Sequence, residues 1–287
     1  MIDPVKVKRL ALIKHIYTIG LSQTNYPEPL YATAILTFHD AVELFLQLTC
    51  EEYDIHEKRI NFEDYWAKIQ AFNGVDLPHK ATMARLNSSR VNFKHHGNVP
   101  SKLDIEGFRA SVTYFFEEST KLVFGIEFSA ISLVELVMNT NVRNKIYEST
   151  DFAKTQNLNE AQTQLAISFT MLIRDFENDN LASNGRSIFN FGREYRLGDD
   201  FSSRNMDILK ENVSILRNIV EILALGIDTK KFAKFRSLTP IVNIYASGDY
   251  YTHPNPFLPK FAITQADNQF CVDFVIESAI KLQEFYQ

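Results

Sequence analysis

Apolar residues recur along this chain at steps of three and four, with few interruptions, and that spacing predicts helices almost throughout. Residues 4–22 carry Val7, Leu10, Ala11, Lys14 and Tyr17 in a 3–4 rhythm. Pro27 and Pro29 break the chain. Residues 30–53 then resume it with Ile35, Phe38, Val42, Phe45 and Leu46 on one face. Asn61 is placed to cap a short helix over 62–72, which Asn73-Gly74 ends. Pro78 opens a fourth helix that runs to His96 and stops at Gly97, and Ser101 caps a fifth through Tyr114, Phe115, Leu122 and Val123. The second half predicts helices over 129–149, 159–179, 203–234 and 270–286. A polar stretch over 178–203 separates two of them, and the proline-rich stretch 239–259 reads as a loop or a short β-hairpin. The expected fold is mainly α. A helical bundle over 1–126 is followed by a second, largely helical region over 127–287.

Composition narrows the class. The chain has 287 residues, of which 45% are hydrophobic and 23% charged, enough apolar material for a packed core. The net charge of −5 excludes a generally basic coat for nucleic acid but leaves room for a local basic patch. Two cysteines, Cys50 and Cys271, lie in apolar helical context, which argues against a disulfide scaffold and fits a reducing, cytoplasmic setting. The most apolar run, 122–138, carries Glu127 and Glu135 and is too short and too charged to span a bilayer. The first residues, Met1-Ile2-Asp3-Pro4, do not read as a signal peptide.

Positive charge concentrates where the chain as a whole is acidic. Between Pro78 and Arg109 stand Lys80, Arg85, Arg90, Lys94, Lys102 and Arg109 against only Asp104 and Glu106, with His79, His95 and His96 in addition. That enrichment points to an anionic ligand, and a phosphate backbone is the obvious one. Met83, Leu86 and Phe93 form the apolar stripe of the fourth helix. Arg90, four residues past Leu86, falls on the same stripe, so it should be paired or face a cleft. Lys94 extends the line, and His95 and His96 occupy the last turn, where the helix dipole favours positive charge. A histidine can act as general base and then general acid, while an arginine holds a phosphate and stabilises charge growing on its oxygens. With a ribose 2′-OH as nucleophile, RNA cleavage of this type requires no metal.

The run Arg90-Val-Asn-Phe-Lys-His95 resembles the arginine, four to six residues, histidine signature of HEPN domains. Its surroundings, from Leu86-Asn through Lys-His-His-Gly to Pro100, are similar to that family as well. The resemblance covers about 4–125. It implies a small helical bundle with the motif at the end of a late helix, metal-independent endoribonuclease activity, RNA as substrate and no cofactor. It also implies a homodimer in which two motifs share one composite cleft. Arg90 and His95 would be the catalytic pair, with Asn92, Lys94, His96 and Arg85 supporting them or binding RNA. A toxin or phage-defence role under the control of an antitoxin or other regulatory partner follows from the same likeness. The chain departs from the family in one respect: Val91, rather than a polar residue, follows the arginine, and Asn92 comes one position later. Both His95 and His96 satisfy the spacing, and the four-residue gap with the Lys-His pattern favours His95. The alternative is a catalytically inactive member that binds RNA, nucleotides or a protein.

Other candidates are weaker. His39-Asp40 resembles the paired ligands of metal-dependent phosphohydrolases, but the further ligands such a site needs (His15 and Asp104 are the nominees) have no supporting context. His39 therefore reads as a histidine at the edge of the core. It stands one turn from Glu43, where both can line the cleft of Arg90. Arg186, Arg193, Tyr195 and Arg196 make a basic loop that reads as solvated surface, and Tyr245, Tyr250, Tyr251, His253 and Phe257 make an aromatic segment that reads as packing. There is no P-loop, no Gly-x-Ser-x-Gly motif and no Cys/His set with zinc spacing, so no metal is expected.

Overall fold

The computed structural model describes residues 3–57, 59–180, 203–245, 247–255 and 262–283. Among them the protein is mainly α, with ten α-helices and one two-stranded sheet. The chain divides into two compact units, Met1–Leu136 and Val137–Gln287. The first ends at Leu136 rather than at 126. Its last ten residues form two 3-10 turns, Phe128–Ala130 and Leu133–Leu136, and Phe128 and Ile131 belong to the same core as the helices before them.

The first unit is a five-helix bundle: α1 (Pro4–Gln23), α2 (Ala34–Glu52), α3 (Tyr65–Asn73), α4 (Lys80–His96) and α5 (Lys102–Phe124). Its centre is aromatic. Phe38 and Phe45 of α2 and Phe115 and Phe116 of α5 are all fully buried. Phe45 meets Phe115 edge-on at 5.4 Å, and Tyr17 of α1 meets Phe116 edge-on at 5.3 Å. Buried Leu10, Ala11, Ile13, Tyr17 and Gly20 are the inward face of α1. Gly20 is there for lack of space: a Cβ at this position would lie 2.7 Å from the ring of Phe38. The absent side chain lets α1 and α2 approach closely.

Helix boundaries depart from the expected ones where a local bond redirects the chain. Residues 30–53 are not one helix. Leu30–Thr33 is a 3-10 turn, and α2 begins at Ala34. The Asn61 side chain does not cap a backbone amide. Its Nδ2 donates to Asp64 Oδ2 at 2.9 Å, and Phe62–Asp64 forms a 3-10 turn before α3. Pro78 does not start α4. His79 adopts a left-handed conformation, φ 64°, and the helix begins at Lys80, while the Trp66 indole donates to Pro78 O at 3.1 Å and ties the approach to α3. Ser101 caps α5 as expected, in a reciprocal box whose partner is Asp104.

The second unit holds α6 (Thr140–Lys154), α7 (Leu158–Asp179), α8 (Ser203–Ala224), α9 (Thr229–Leu238), the antiparallel hairpin β1 (Ile241–Ile244) and β2 (Tyr250–His253), and α10 (Gln265–Gln283). Its core is another aromatic cluster, with Phe169 5.2 Å from Phe274 and Phe235 4.7 Å from Phe274. The expected helix over 129–149 is two 3-10 turns followed by α6, whose amides at Asn141 and Val142 are capped by the Asn139 side chain. The expected helix over 203–234 is two helices. Gly226, at φ 66°, ends the first, and Asp228 caps the second by accepting from Lys230 and Lys231 amides. The open reading of 239–259 resolves as a hairpin in which Ile241 pairs with His253 and Ile244 with Tyr250. Tyr245 stacks on Tyr251 at 4.0 Å, and Arg174 of α7 donates to Gly248 O in the turn. Phe257 and the basic loop with Arg186, Arg193, Tyr195 and Arg196 lie outside the described residues.

Cys50 and Cys271 are both buried free thiols. Burial pushes their pKa up, to about 11 for Cys50 and about 12 for Cys271, so neither is a ready nucleophile. Among the described residues, no helix is long and apolar enough to cross a membrane.

Candidate functional site at the junction of α2 and α4

Helix α4 packs Met83 and Leu86 into the core, both fully buried, with Phe93 partly buried on the same side. Arg90 continues this stripe. It is half-buried, and its Nε is enclosed without a hydrogen-bond partner. No carboxylate among the described residues stands within ion-pair distance of its guanidinium, although acidic residues outnumber basic ones in the chain. An enclosed Nε–H without an acceptor costs free energy that a ligand accepting from it would recover.

Beside this part of α4, α2 presents His39. His39 is 3% exposed, as expected of a histidine at the core edge, and its ring stacks on Phe62 at 4.5 Å. His39 Nε2 lies 3.1 Å from Asn87 Oδ1, and Asn87 Nδ2 lies 3.5 Å from Glu63 Oε1. The carboxylate requires the amide nitrogen on its side, so the amide oxygen faces the imidazole and Nε2 carries the hydrogen. Nδ1 then presents a lone pair, 3.7 Å from Asp40 Oδ1 and 3.8 Å from Glu43 Oε2, and has no hydrogen-bond partner. Burial and, after it, the nearby charge of Arg90 hold the pKa of His39 below its ordinary value, against the pull of Glu43, Asn87 and Asp40. The bond from His39 to Asn87 joins α2 to α4 one turn before Arg90.

His95 and His96 close α4. Gly97, at φ 69°, turns the chain, with its amide donating to Phe93 O at 3.1 Å and that of Asn98 to Asn92 O at 3.3 Å. This double bond pattern terminates the helix firmly and leaves Lys94, His95 and His96 exposed in the last turn. Five residues along a helix amount to about 7.5 Å of rise and about 140° of rotation beyond a full turn. Arg90 and His95 therefore leave α4 on different sides, whereas Arg90, Lys94 and Asn87 share one. Val91 and Asn92 are exposed, so the departure from the HEPN pattern falls on the surface. Neither residue forms a contact here that replaces a polar helper.

The rest of the basic run is divided. Lys102 and Arg109 are both paired to Glu106, and Lys102 also donates to Thr24 O. His79 approaches Glu118 at 3.2 Å. Arg85 is exposed and contributes to holding the Asp104 carboxyl below the usual carboxylate range, where the bonds from Ser101 have the larger effect. Lys80, Arg85, Arg90 and Lys94 thus remain the lysines and arginines of α4 available to an external anion, with Lys80 at the far end of the helix. Sequence reasoning missed Asn87 and Glu63. The signal available was Asn87 standing three residues before Arg90, on the same helical face.

Comparison of the chain with family models, with curated proteins and with solved structures finds no match.

Proposed function

We propose that the protein is a metal-independent endoribonuclease of HEPN type, cleaving RNA by attack of a ribose 2′-OH on the adjacent phosphate. The reading is carried by one observation: a half-buried Arg90, with an unpartnered Nε and no carboxylate paired to it, on the helix that ends in exposed His95 and His96. Arg90 holds the scissile phosphate and stabilises the charge that grows on its oxygens. His95 removes the 2′-OH proton and returns a proton to the leaving 5′-oxygen. Lys94 and Arg85 add positive field along the strand, with Asn92 and His96 at the rim. The products are a 2′,3′-cyclic phosphate and a 5′-OH end. Because Arg90 and His95 diverge along α4, a second copy supplies the partner group to a shared cleft. An active nuclease of this kind is held in check by a regulatory protein or a trigger, as in toxin or phage-defence systems.

The same divergence favours a second reading, in which the protein binds RNA or nucleotides at Arg90 without cutting. The test is incubation of the purified chain with total RNA in EDTA, beside Arg90→Ala, His95→Ala and His96→Ala. Cleavage that is lost in Arg90→Ala and His95→Ala, and retained in His96→Ala, supports the nuclease. Binding without cleavage supports the second reading, and the absence of both overturns the two together.

A further inference from the structure

We propose that His39, Asp40 and Glu43 form a binding site for a divalent transition metal of the zinc class, on the edge of α2 beside Arg90. The three residues offer an imidazole nitrogen and two carboxylate oxygens, all within 4.8 Å of one another. An acidic pair on a helix surface is common and says little. The imidazole is the distinguishing feature. Its Nε2–H is committed to Asn87, and Asn87 is in turn held by Glu63, the outer arrangement that fixes the tautomer of metal-binding histidines. The lone pair of Nδ1 is consequently aimed, from a side chain only 4% exposed, at two oxygens that cannot donate to it.

The distances distinguish what fits between these atoms. A proton shared by nitrogen and oxygen brings them to about 2.7–3.2 Å. A zinc ion bonded to each at about 2.0–2.1 Å in tetrahedral geometry holds them about 3.3 Å apart. The observed gaps of 3.7 and 3.8 Å lie beyond hydrogen-bonding reach and nearer to the metal-bridged spacing. The nitrogen–oxygen gaps need to close by a few tenths of an ångström, and the two oxygens, which with the nitrogen lie within 4.8 Å of one another, are carried by side chains 61% and 37% exposed that can swing inward to meet one ion. His39 and Glu43 are one helical turn apart, a spacing that places two ligands on one face without strain. Arg90 faces the site from α4 and opposes a cation. Asp40 and Glu43, as direct ligands, counter its charge at the ion itself. Two oxygens and one nitrogen suit zinc, cobalt or nickel better than calcium or magnesium, which prefer an all-oxygen shell.

The proposal does not depend on RNA cleavage, and its test is read without RNA. The full chain, stripped with EDTA and dialysed free of it, is titrated with zinc chloride by calorimetry and with cobalt chloride by visible absorption. One equivalent is expected to bind, with cobalt giving the intense bands of a four-coordinate site. Asp40→Asn and Glu43→Gln alter exposed side chains and preserve the fold, checked by circular dichroism. Each is expected to weaken binding by roughly tenfold or more, as loss of a ligand should by comparison with outer-shell losses. Failure of zinc and cobalt to bind saturably at about 100 µM, or binding unchanged in Glu43→Gln, overturns the site. Loss of EDTA-resistant cleavage in Arg90→Ala bears only on the nuclease, so the two ideas fail separately.

Discussion

At Arg90 the proposed phosphate-binding role and stability pull in opposite directions. Its guanidinium is partly enclosed and unpaired, and its charge adds to burial in lowering the pKa of His39. A methionine of similar length fills the same groove without the desolvation cost. Arg90→Met is therefore expected to leave the midpoint of urea unfolding unchanged or raise it, by up to about 1 kcal/mol, while lowering RNA cleavage by roughly a hundredfold or more. Unfolding titration and a cleavage assay on the same preparation check both halves. At Gly20 the constraint is steric. A methyl group 2.7 Å from the Phe38 ring cannot be accommodated without moving α1 or rotating a fully buried side chain. Gly20→Ala is expected to cost about 1–3 kcal/mol, measured by chemical denaturation, although alanine is the better helix former. The stripe Met83, Leu86, Arg90 and Phe93 was legible from spacing alone. Asn87 as the partner of His39 was not, because nothing in a one-dimensional pattern shows which residues face each other across two helices.

Among the elements, α4 carries the proposed catalytic residues, and its two ends set where they stand. Gly97 holds the left-handed turn that stops the helix after His96. Gly97→Ala pays the left-handed penalty of about 1–2 kcal/mol, and it loosens the turn bearing the histidines. The expected readout is a lower melting temperature, with a larger loss in cleavage than the stability change alone explains. At the other end of the loop, Ser101→Ala removes one half of the Asp104 capping box and is expected to cost about 1 kcal/mol, without a change in cleavage at temperatures where both proteins are folded. Helix termini marked by glycine or serine were readable in advance at Gly74, Gly97 and Ser101. Those at His79, Gly226 and Asp228 were missed. His79 is an unusual residue for a left-handed position, and the cap at Asp228 was hidden inside a strongly periodic apolar run.

For the molecule as a whole, the two units have separate aromatic cores, and each should unfold on its own terms. A chain ending at Leu136 is expected to give a cooperative helical melt by circular dichroism, because the core of Met1–Leu136 is complete within it. The second unit carries a pH liability. Glu221 of α8 is buried, and desolvation, assisted by the charge of Glu177 and opposed by Arg217, pushes its pKa up to about 7. A carboxyl that is harder to ionise when folded imposes no penalty below its unfolded value and its full penalty above its folded one. Stability of this unit should therefore fall as pH rises from about 4.5 to above 7, by about 3 kcal/mol at most. Glu221→Gln should flatten that slope in thermal scans across the same range. From the order of residues alone came the mainly α class, the helices around each apolar stripe and the basic concentration on α4. Those features rest on local spacing and charge, which a linear chain already carries. Only the folded arrangement decided that His39 of α2 bonds Asn87 of α4, that its free Nδ1 lies beside Asp40 and Glu43, and that Lys102 and Arg109 are already paired. Such pairings join residues distant in sequence or choose among neighbours by direction, and both are settled by how the helices pack.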